Sequence, residues 1–234
     1  MTKSSPPSAE RAFTLIELLV VIVTIGILAA VFIPAATSVI ERAKATKDLS
    51  NLRQIGMGTQ LYMNDNNGVF PGSGTVTWMS NLEANQKYLS AWRVLQSPFD
   101  KRASSEAGTG SPVSPISYGI NPSVYSSGVA ISADKITKPV TFIVFSPAQD
   151  TGNTVRFNTT ATATFAAPGV TESAGTSNPG GTANGGTHAS RTKINALCAD
   201  WHAETMLWSG TGPAFTHTDT AGGTDPDGPN RWSP

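Results

Sequence analysis

The chain has 234 residues, with 16 basic and 16 acidic side chains and a formal net charge of zero. A neutral chain without a Lys/Arg-rich stretch has no basic surface field for nucleic acid, so composition argues against nucleic-acid binding. Only 14% of the residues are charged, whereas Gly and Pro number 22 and 16, which favours strands joined by long loops over a helical bundle.

The N-terminal segment divides into a polar part and an apolar part. Residues 1–12 are polar and are predicted to be a leader peptide, and an uncharged run extends from Leu18 to Ile40. This run exceeds the ~20 apolar residues that a helix needs to cross a bilayer. A secretory signal has its small-residue cleavage site after the apolar run, but here the small residue, Ala12, precedes it. We therefore expect cleavage between Ala12 and Phe13, which leaves the apolar helix on the mature protein.

Glu17 stands at the start of this apolar segment. A carboxylate inside a membrane span is unfavourable by ~2.5–3.5 kcal/mol on insertion scales and is a functional-site hypothesis by default. Cleavage before Phe13 would create an α-amino group at a similar depth, and the amine of one subunit could neutralise Glu17 of its neighbour. The alternative is an interfacial Glu that reaches the headgroups.

The stretch from Arg11 to Val21, RAFTLIELLVV, resembles the class III, or type IV, prepilin cleavage and methylation motif. The resemblance implies that a prepilin peptidase cuts before Phe13 and N-methylates it. It also implies that Glu17 is the assembly glutamate of the family and that Pro34 is its helix-kinking proline. Ala12 departs from the pattern, because the family usually has Gly there.

Pro34 lies inside the apolar run. Proline removes one backbone N–H and clashes with the carbonyl four residues earlier, so it kinks or locally melts a helix. In a filament this would let the helix stretch while it packs; a kink with no further role is the alternative.

The helix is predicted to continue beyond the membrane. Ala45, Leu49, Leu52, Ile55 and Thr59 recur at three- and four-residue steps on one face. The charged residues, Asp48 among them, are placed largely elsewhere. The helix is predicted over 13–66 (transmembrane 13–40, amphipathic 41–64), with a globular domain over 67–234. Residues 62–71 also resemble the end of this helix in pseudopilins of type II secretion systems.

The globular domain is predicted to hold a small antiparallel β-sheet and long loops. The pattern predicts a short helix from Trp78, a turn over 97–100, a strand over 117–121, a strand over 140–145, and a hairpin of 193–198 with 203–208. A Thr/Ala/Gly-rich loop is predicted over 158–188. The predicted fold is α+β, with the long N-terminal helix packed on this domain, as in the type IV pilin fold.

The C-terminal region resembles a subgroup of pilin-like proteins, abundant in Planctomycetes and Verrucomicrobia, that carry a His…Asp-Gly-His motif. His188, Asp200 and His202 match the motif, with Trp201 in place of Gly. These residues form a possible structural cluster, and binding of a divalent metal is the alternative. Nearby Cys198, the single cysteine, is interpreted as a buried apolar side chain or as an intermolecular disulfide partner.

The C-terminal tail carries Asp219, Asp225 and Asp227 among glycines. Hard oxygen ligands on a flexible loop suit Ca²⁺, and major pseudopilins bind calcium in a C-terminal loop. A solvated acidic tail is the alternative. No cofactor is predicted beyond this calcium candidate.

The predicted function is a structural subunit of a type IV pilus-like filament, inserted in the bacterial inner membrane as a precursor and then extracellular or periplasmic. Its expected partners are copies of itself or other pilins, prepilin peptidase and an inner-membrane assembly platform. Two alternatives remain open, namely a type II secretion pseudopilin and a membrane-anchored surface binding module. No catalytic motif predicts an enzyme.

Overall fold

The computed structural model describes residues 13–72, 78–83, 87–89, 91–100, 116–121, 123–126, 129–149, 169–170, 187–189, 192–208 and 215–216. Ala12, the acidic tail with Asp219, Asp225 and Asp227, and most of the loop predicted over 158–188 lie outside these ranges. The chain divides into two compact units, Met1–Arg42 and Ala43–Pro234.

One long helix, α1, extends from Leu15 to Asp65 and contributes to both units. It ends where the sequence predicts, because Asn67 and Gly68 both take left-handed φ angles of 54° and 75°. The N–H of Gly68 donates to the carbonyl of Met63 at 2.8 Å, which satisfies one of the last carbonyls of the helix.

The second half of α1 forms one wall of the hydrophobic core. Its buried residues are Asp48, Asn51, Leu52, Ile55, Gly56, Gly58, Thr59 and Met63. The sequence pattern placed Asp48 outside the apolar face, and this is wrong: its side chain is fully buried. The physical reason is that three hydrogen-bond donors of the domain converge on its carboxylate, so a charged residue type occupies a core position.

The globular unit contains a second helix and a β-sheet. α2 is Trp78–Glu83, and single 3-10 turns lie at Trp92–Leu95 and Ala133–Lys135. The strands are β1 (Tyr118–Ile120), β2 (Tyr125–Ser126), β3 (Val129–Ala130), β4 (Ile143–Gln149), β5 (Gly169–Val170), β6 (Lys193–Cys198), β7 (Ala203–Trp208) and β8 (Phe215–Thr216). The described strands pair in the order β1-β4-β6-β7-β8, all antiparallel, with β5 parallel to the end of β4 and β2–β3 a separate hairpin.

The predicted α+β class, with a long N-terminal helix and a small antiparallel sheet, is therefore confirmed. The bounds of the hairpin β6–β7 agree with the prediction. The strand predicted over 140–145 instead begins at Ile143, because Pro139 starts a turn in which Lys138 O accepts from the N–H groups of Thr141 and Phe142. This turn leaves Val140 exposed, so local geometry overrides its strand propensity.

The turn between β6 and β7 places Trp201 in the left-handed region, with φ of 70°. Cys198 N donates to His202 O at 2.9 Å, so this pair closes a loop of three residues, Ala199 to Trp201. A three-residue hairpin loop has its left-handed residue at the third position, which Gly normally fills. Trp201 compensates by packing against the core, with its ring 6.3 Å from the ring of Phe70.

Gly58 lies where α1 closely approaches the backbone of residues 87–89. A Cβ atom added to Gly58 would lie 2.8 Å from Tyr88 O and 3.0 Å from Leu89 Cδ2. A backbone oxygen cannot rotate away as a flexible side chain can, so any side chain at this position would push the segment off the helix.

Gly58→Ala is therefore expected to destabilise the protein by about 1 kcal/mol. Overpacking costs ~1–3 kcal/mol, and the better helix propensity of Ala returns ~1 kcal/mol. Urea unfolding of the detergent-solubilised protein, followed by circular dichroism, measures the change. The control is Met57→Ala, which truncates an exposed neighbour on the same helix and should be close to neutral. A Gly58→Ala variant more stable than the wild type would contradict the close approach.

Candidate functional site at the start of α1

The first turn of α1 is closed by a pair of reciprocal hydrogen bonds. Helix α1 begins at Leu15, so Thr14 is its N-cap residue and Glu17 is the third helical residue. Glu17 Oε2 accepts the backbone N–H of Thr14 at 2.9 Å and its hydroxyl at 2.7 Å, while Glu17 N donates to Thr14 Oγ1 at 3.3 Å. This Thr-x-x-Glu arrangement is a capping box, which satisfies donors that the helix itself leaves unpaired.

The capping box shows how Glu17 is held at the edge of an apolar helix. Both of the bonds that its carboxylate accepts from Thr14 use Oε2, and neither uses Oε1. A negative charge in the first helical turn also interacts favourably with the positive end of the helix dipole. The sequence contains the Thr-x-x-Glu signature of this capping box, whereas Glu17 was predicted only as an assembly residue with a cost in lipid. The spacing of Thr14 and Glu17 could therefore have predicted the capping box from the sequence.

The helix after Glu17 exposes apolar side chains along its whole first half. The large apolar residues from Phe13 to Ile40 are exposed, and this part of α1 has the length and composition to span a membrane. Its hydroxyl groups are satisfied by backbone carbonyls: Thr24 donates to Val21 O at 2.9 Å and Thr37 donates to Pro34 O at 2.9 Å. Such internal satisfaction is what a bilayer requires.

Pro34 lies within α1, and the helix is continuous on both sides of it. Since proline has no N–H, the carbonyl of Ala30 lacks its usual helical donor. The predicted kinking role of Pro34 in a filament stays a prediction.

Residues 7–33 match the family model described as the prokaryotic N-terminal methylation motif. The matched segment includes Phe13, Thr14 and Glu17, and therefore the whole capping box. No curated protein and no solved structure matches the chain. The chain thus carries a prepilin-type N-terminal methylation motif at the start of a helix that has the length and composition to anchor a precursor in a membrane. The finer likeness to the subgroup with the His…Asp-Gly-His motif stays a prediction.

Of the three residues predicted to cluster at the C-terminal motif, the structure brings Asp200 and His202 together and places His188 apart from them. His202 lies beside Asp200, with its Nδ1 atom 2.5 Å from Asp200 Oδ1. His188 forms a bridge with Lys193, at the opposite end of β6 from His202, and its ring stacks on Phe99 at 5.1 Å. Asp200 lies in the hairpin turn rather than on a strand. Calcium binding at Asp219, Asp225 and Asp227 stays a prediction outside the described residues.

Asp48 is a second site that reasoning from the sequence missed. Ser97 Oγ and Tyr118 OH each donate to Asp48 Oδ1 at 2.5 Å, and Asn195 Nδ2 donates to Oδ2 at 2.8 Å. Burial raises the pKa of the Asp48 carboxyl, and these three hydrogen bonds partly offset the shift. Burial and the nearby carboxylate also raise the pKa of Tyr118 well above its ordinary value.

Helical spacing could have located Asp48. It follows Ala45 by three residues and precedes Leu52 by four, so it falls on the same stripe as the predicted apolar face. Asp48 was predicted to lie outside this face because it is a charged residue, although its position in the sequence places it on the face. The carboxylate links α1 to the 3-10 turn region, β1 and β6, and its arrangement indicates a structural role in the domain core.

Proposed function

We propose that this protein is a structural subunit of a type IV pilus-like filament, assembled from the inner membrane after cleavage before Phe13. The observation that carries the proposal is the position of Glu17 in the first turn of a helix whose next residues, from Leu18 to Ile40, are uncharged and exposed. Exposed apolar surface on this scale needs a covering partner, and a bilayer or neighbouring helices can provide one.

Cleavage changes the chemistry of this turn. It creates an α-amino group on Phe13, next to Thr14 in sequence and therefore close to the capping box. Glu17 Oε2 already accepts two hydrogen bonds from Thr14, and in the proposed filament Oε1 accepts the amine of an adjacent subunit. A carboxylate and an ammonium group attract strongly where water is excluded. Processing thus produces the cation that the filament core requires.

The remaining half of α1 and the sheet form the folded part that the filament would display. We propose copies of this chain or other pilins as neighbours, with prepilin peptidase and an inner-membrane platform acting earlier. The filament would be extracellular, which distinguishes it from a periplasmic secretion pseudopilus. The motif and the apolar helix support the precursor stage of this sequence of events.

The mature N-terminus is expected to be Phe13 carrying one methyl group. Filaments sheared from cells that express the protein would be purified, and the N-terminal peptide identified by mass spectrometry. Ala12→Gly, which restores the residue usual in the family, should be processed at least as completely as the wild type. Met1 at the terminus, or any residue after Pro34, would contradict the proposed processing. Correct processing without filaments would instead favour a membrane-anchored binding module.

A further inference from the structure

The hairpin β6–β7 brings three side chains with metal-binding atoms to one face of the sheet. Leu197 pairs with Ala203 and Ala196 with Glu204, while Cys198 N donates to His202 O. Cys198 and His202 are therefore opposite each other, and Glu204 lies two residues beyond His202. Because side chains alternate along a strand, residues 202 and 204 share a face. Cys198 and Glu204 were not predicted as site residues, since only the register reveals their proximity to His202.

The distances within this group are close to those of a metal site. One ligand atom from each of Cys198, His202 and Glu204 lies within 4.8 Å of the others. Cys198 Sγ is 4.0 Å from Glu204 Oε1, and His202 Nε2 is 3.8 Å from the same oxygen. Tetrahedral zinc with ordinary bond lengths needs separations of about 3.4–3.6 Å between ligand atoms. Small side-chain rotations that move these atoms by up to about 1 Å would close the site.

Asp200 holds the ring of His202 in an orientation that suits metal binding. Its Oδ1 atom lies 2.5 Å from His202 Nδ1 and accepts the backbone N–H of His202 at 3.2 Å. A carboxylate on Nδ1 fixes the ring and leaves Nε2 to bind a metal, which is the usual outer arrangement of a metal-binding histidine. Nε2 is the atom that faces Glu204.

The burial of the group suits an ion that arrives from solvent. Cys198 is fully buried, whereas the side chains of Glu204 and His202 are 19% and 39% exposed. The thiol thus lies at the base of the site, and the carboxylate and imidazole lie at its opening. A thiolate and a carboxylate together carry two negative charges, which match a divalent cation.

We propose that Cys198, His202 and Glu204 bind a divalent transition metal ion, Zn²⁺ by their chemistry, and that Asp200 is a positioning residue for His202. A thiolate and an imidazole select zinc and similar ions over Ca²⁺ or Mg²⁺. On binding, the Sγ–H proton leaves to solvent as the sulfur–metal bond forms, and no oxidation occurs. Three protein ligands leave a fourth position for water.

Metal binding would be tested on the full-length protein in detergent micelles, purified without a polyhistidine tag and stripped with a chelator. Zinc titration with elemental analysis should give one equivalent per chain. Cobalt should give a thiolate-to-cobalt charge-transfer band and the intense visible bands of a tetrahedral site. A wild-type protein that retains no zinc and shows no charge-transfer band would overturn the proposal, leaving a hydrogen-bonded cluster.

Matched variants assign the ligands. Cys198→Ser should remove the charge-transfer band, and the half-buried, isosteric Glu204→Gln should lower zinc affinity while the metal-free melting temperature stays unchanged. Asp200→Asn should lower affinity by about 10–100-fold and keep the cobalt spectrum. His188→Gln, at the other end of β6, should bind like the wild type. Full zinc binding by both Cys198→Ser and Glu204→Gln, or its loss in His188→Gln, would contradict this site.

Discussion

Glu17→Gln is expected to abolish filaments while the protein is still made, inserted and cleaved. Gln at the third helical position can complete a capping box with Thr14, so the start of α1 should be preserved. The substitution removes only the charge. In a dry filament core, the α-amino group of a neighbouring Phe13 would then be left unmatched, and removing one partner of a buried ion pair typically costs ~3–5 kcal/mol. Since this loss recurs in every subunit, assembly should fail.

Cells that express wild type or Glu17→Gln as the only copy would be compared for membrane-fraction protein, processed size and sheared filaments. Thr14→Ser, which keeps a hydroxyl at the N-cap, is the matched control and should assemble. Thr14→Ala tests the cap itself and should weaken the helix start by about 1 kcal/mol. Normal filaments from Glu17→Gln would show that this carboxylate is not the assembly contact.

Asp48→Ala is expected to destabilise the globular unit by about 3–5 kcal/mol. It removes the acceptor of Ser97 Oγ and Tyr118 OH, whereas Asn195 Nδ2 keeps a hydrogen bond to Ala45 O, and each buried unsatisfied group costs ~1–3 kcal/mol. Native proteins are stable by only ~5–15 kcal/mol, so the variant should unfold at a much lower urea concentration. Urea unfolding of the detergent-solubilised protein provides the measurement. A midpoint within error of the wild type would show that the network contributes little.

The same carboxylate predicts a pH dependence. Its pKa is raised in the folded state, so between the unfolded value of about 3.9 and the folded value the native protein binds the proton more tightly. The free energy of unfolding therefore falls as the pH rises through this window, by at most ~1.4 kcal/mol per pH unit, and stays level above the folded pKa. Asp48→Asn should lack this slope.

Asp134→Asn is the control for the pH experiment. Asp134 is exposed, and a hydrogen bond from Ser132 lowers its pKa. Its contribution to stability is therefore lost as the pH falls, which is the opposite sign. Melting curves from pH 4 to 8 should keep the wild-type slope in Asp134→Asn. An identical slope in wild type and Asp48→Asn would contradict the assignment to Asp48.

The elements that the sequence predicts well are those with a strong local signal. The helix ends beside Asn67 and Gly68 because these residues accept left-handed backbone. The hairpin is predictable because the apolar-rich segments 193–198 and 203–208 flank a short turn at Asp200 and Trp201. The strand expected over 140–145 begins later because Pro139 favours a turn. Residue composition, the helical spacing of apolar residues and the turn-forming residues therefore predict most of the secondary structure.

The functional positions depend on contacts that no local pattern encodes. Asp48 is acceptable in the core because Ser97, Tyr118 and Asn195 all donate to its carboxylate. Cys198 becomes a metal-ligand candidate only once the strand register sets it opposite His202. Trp201 shows the same effect, since tertiary packing stabilises a left-handed tryptophan where the turn alone prefers Gly. The predicted cleavage and assembly residues Ala12, Phe13 and Glu17 lie in one short segment, so a local motif can suggest them, and their roles stay predictions.

The bond between Asp48 and Asn195 joins residues 147 positions apart. Synthesis at ~5–20 residues per second delivers the second residue about 7–30 s after the first. During this interval the apolar first half of α1 has been synthesised and can insert into the membrane. Its second half, which carries Asp48, still lacks the contact with β6. Contacts of such long sequence separation also slow the folding step itself. Until β6 has been made, the buried face of α1 therefore lacks the strand that supplies Asn195 to Asp48.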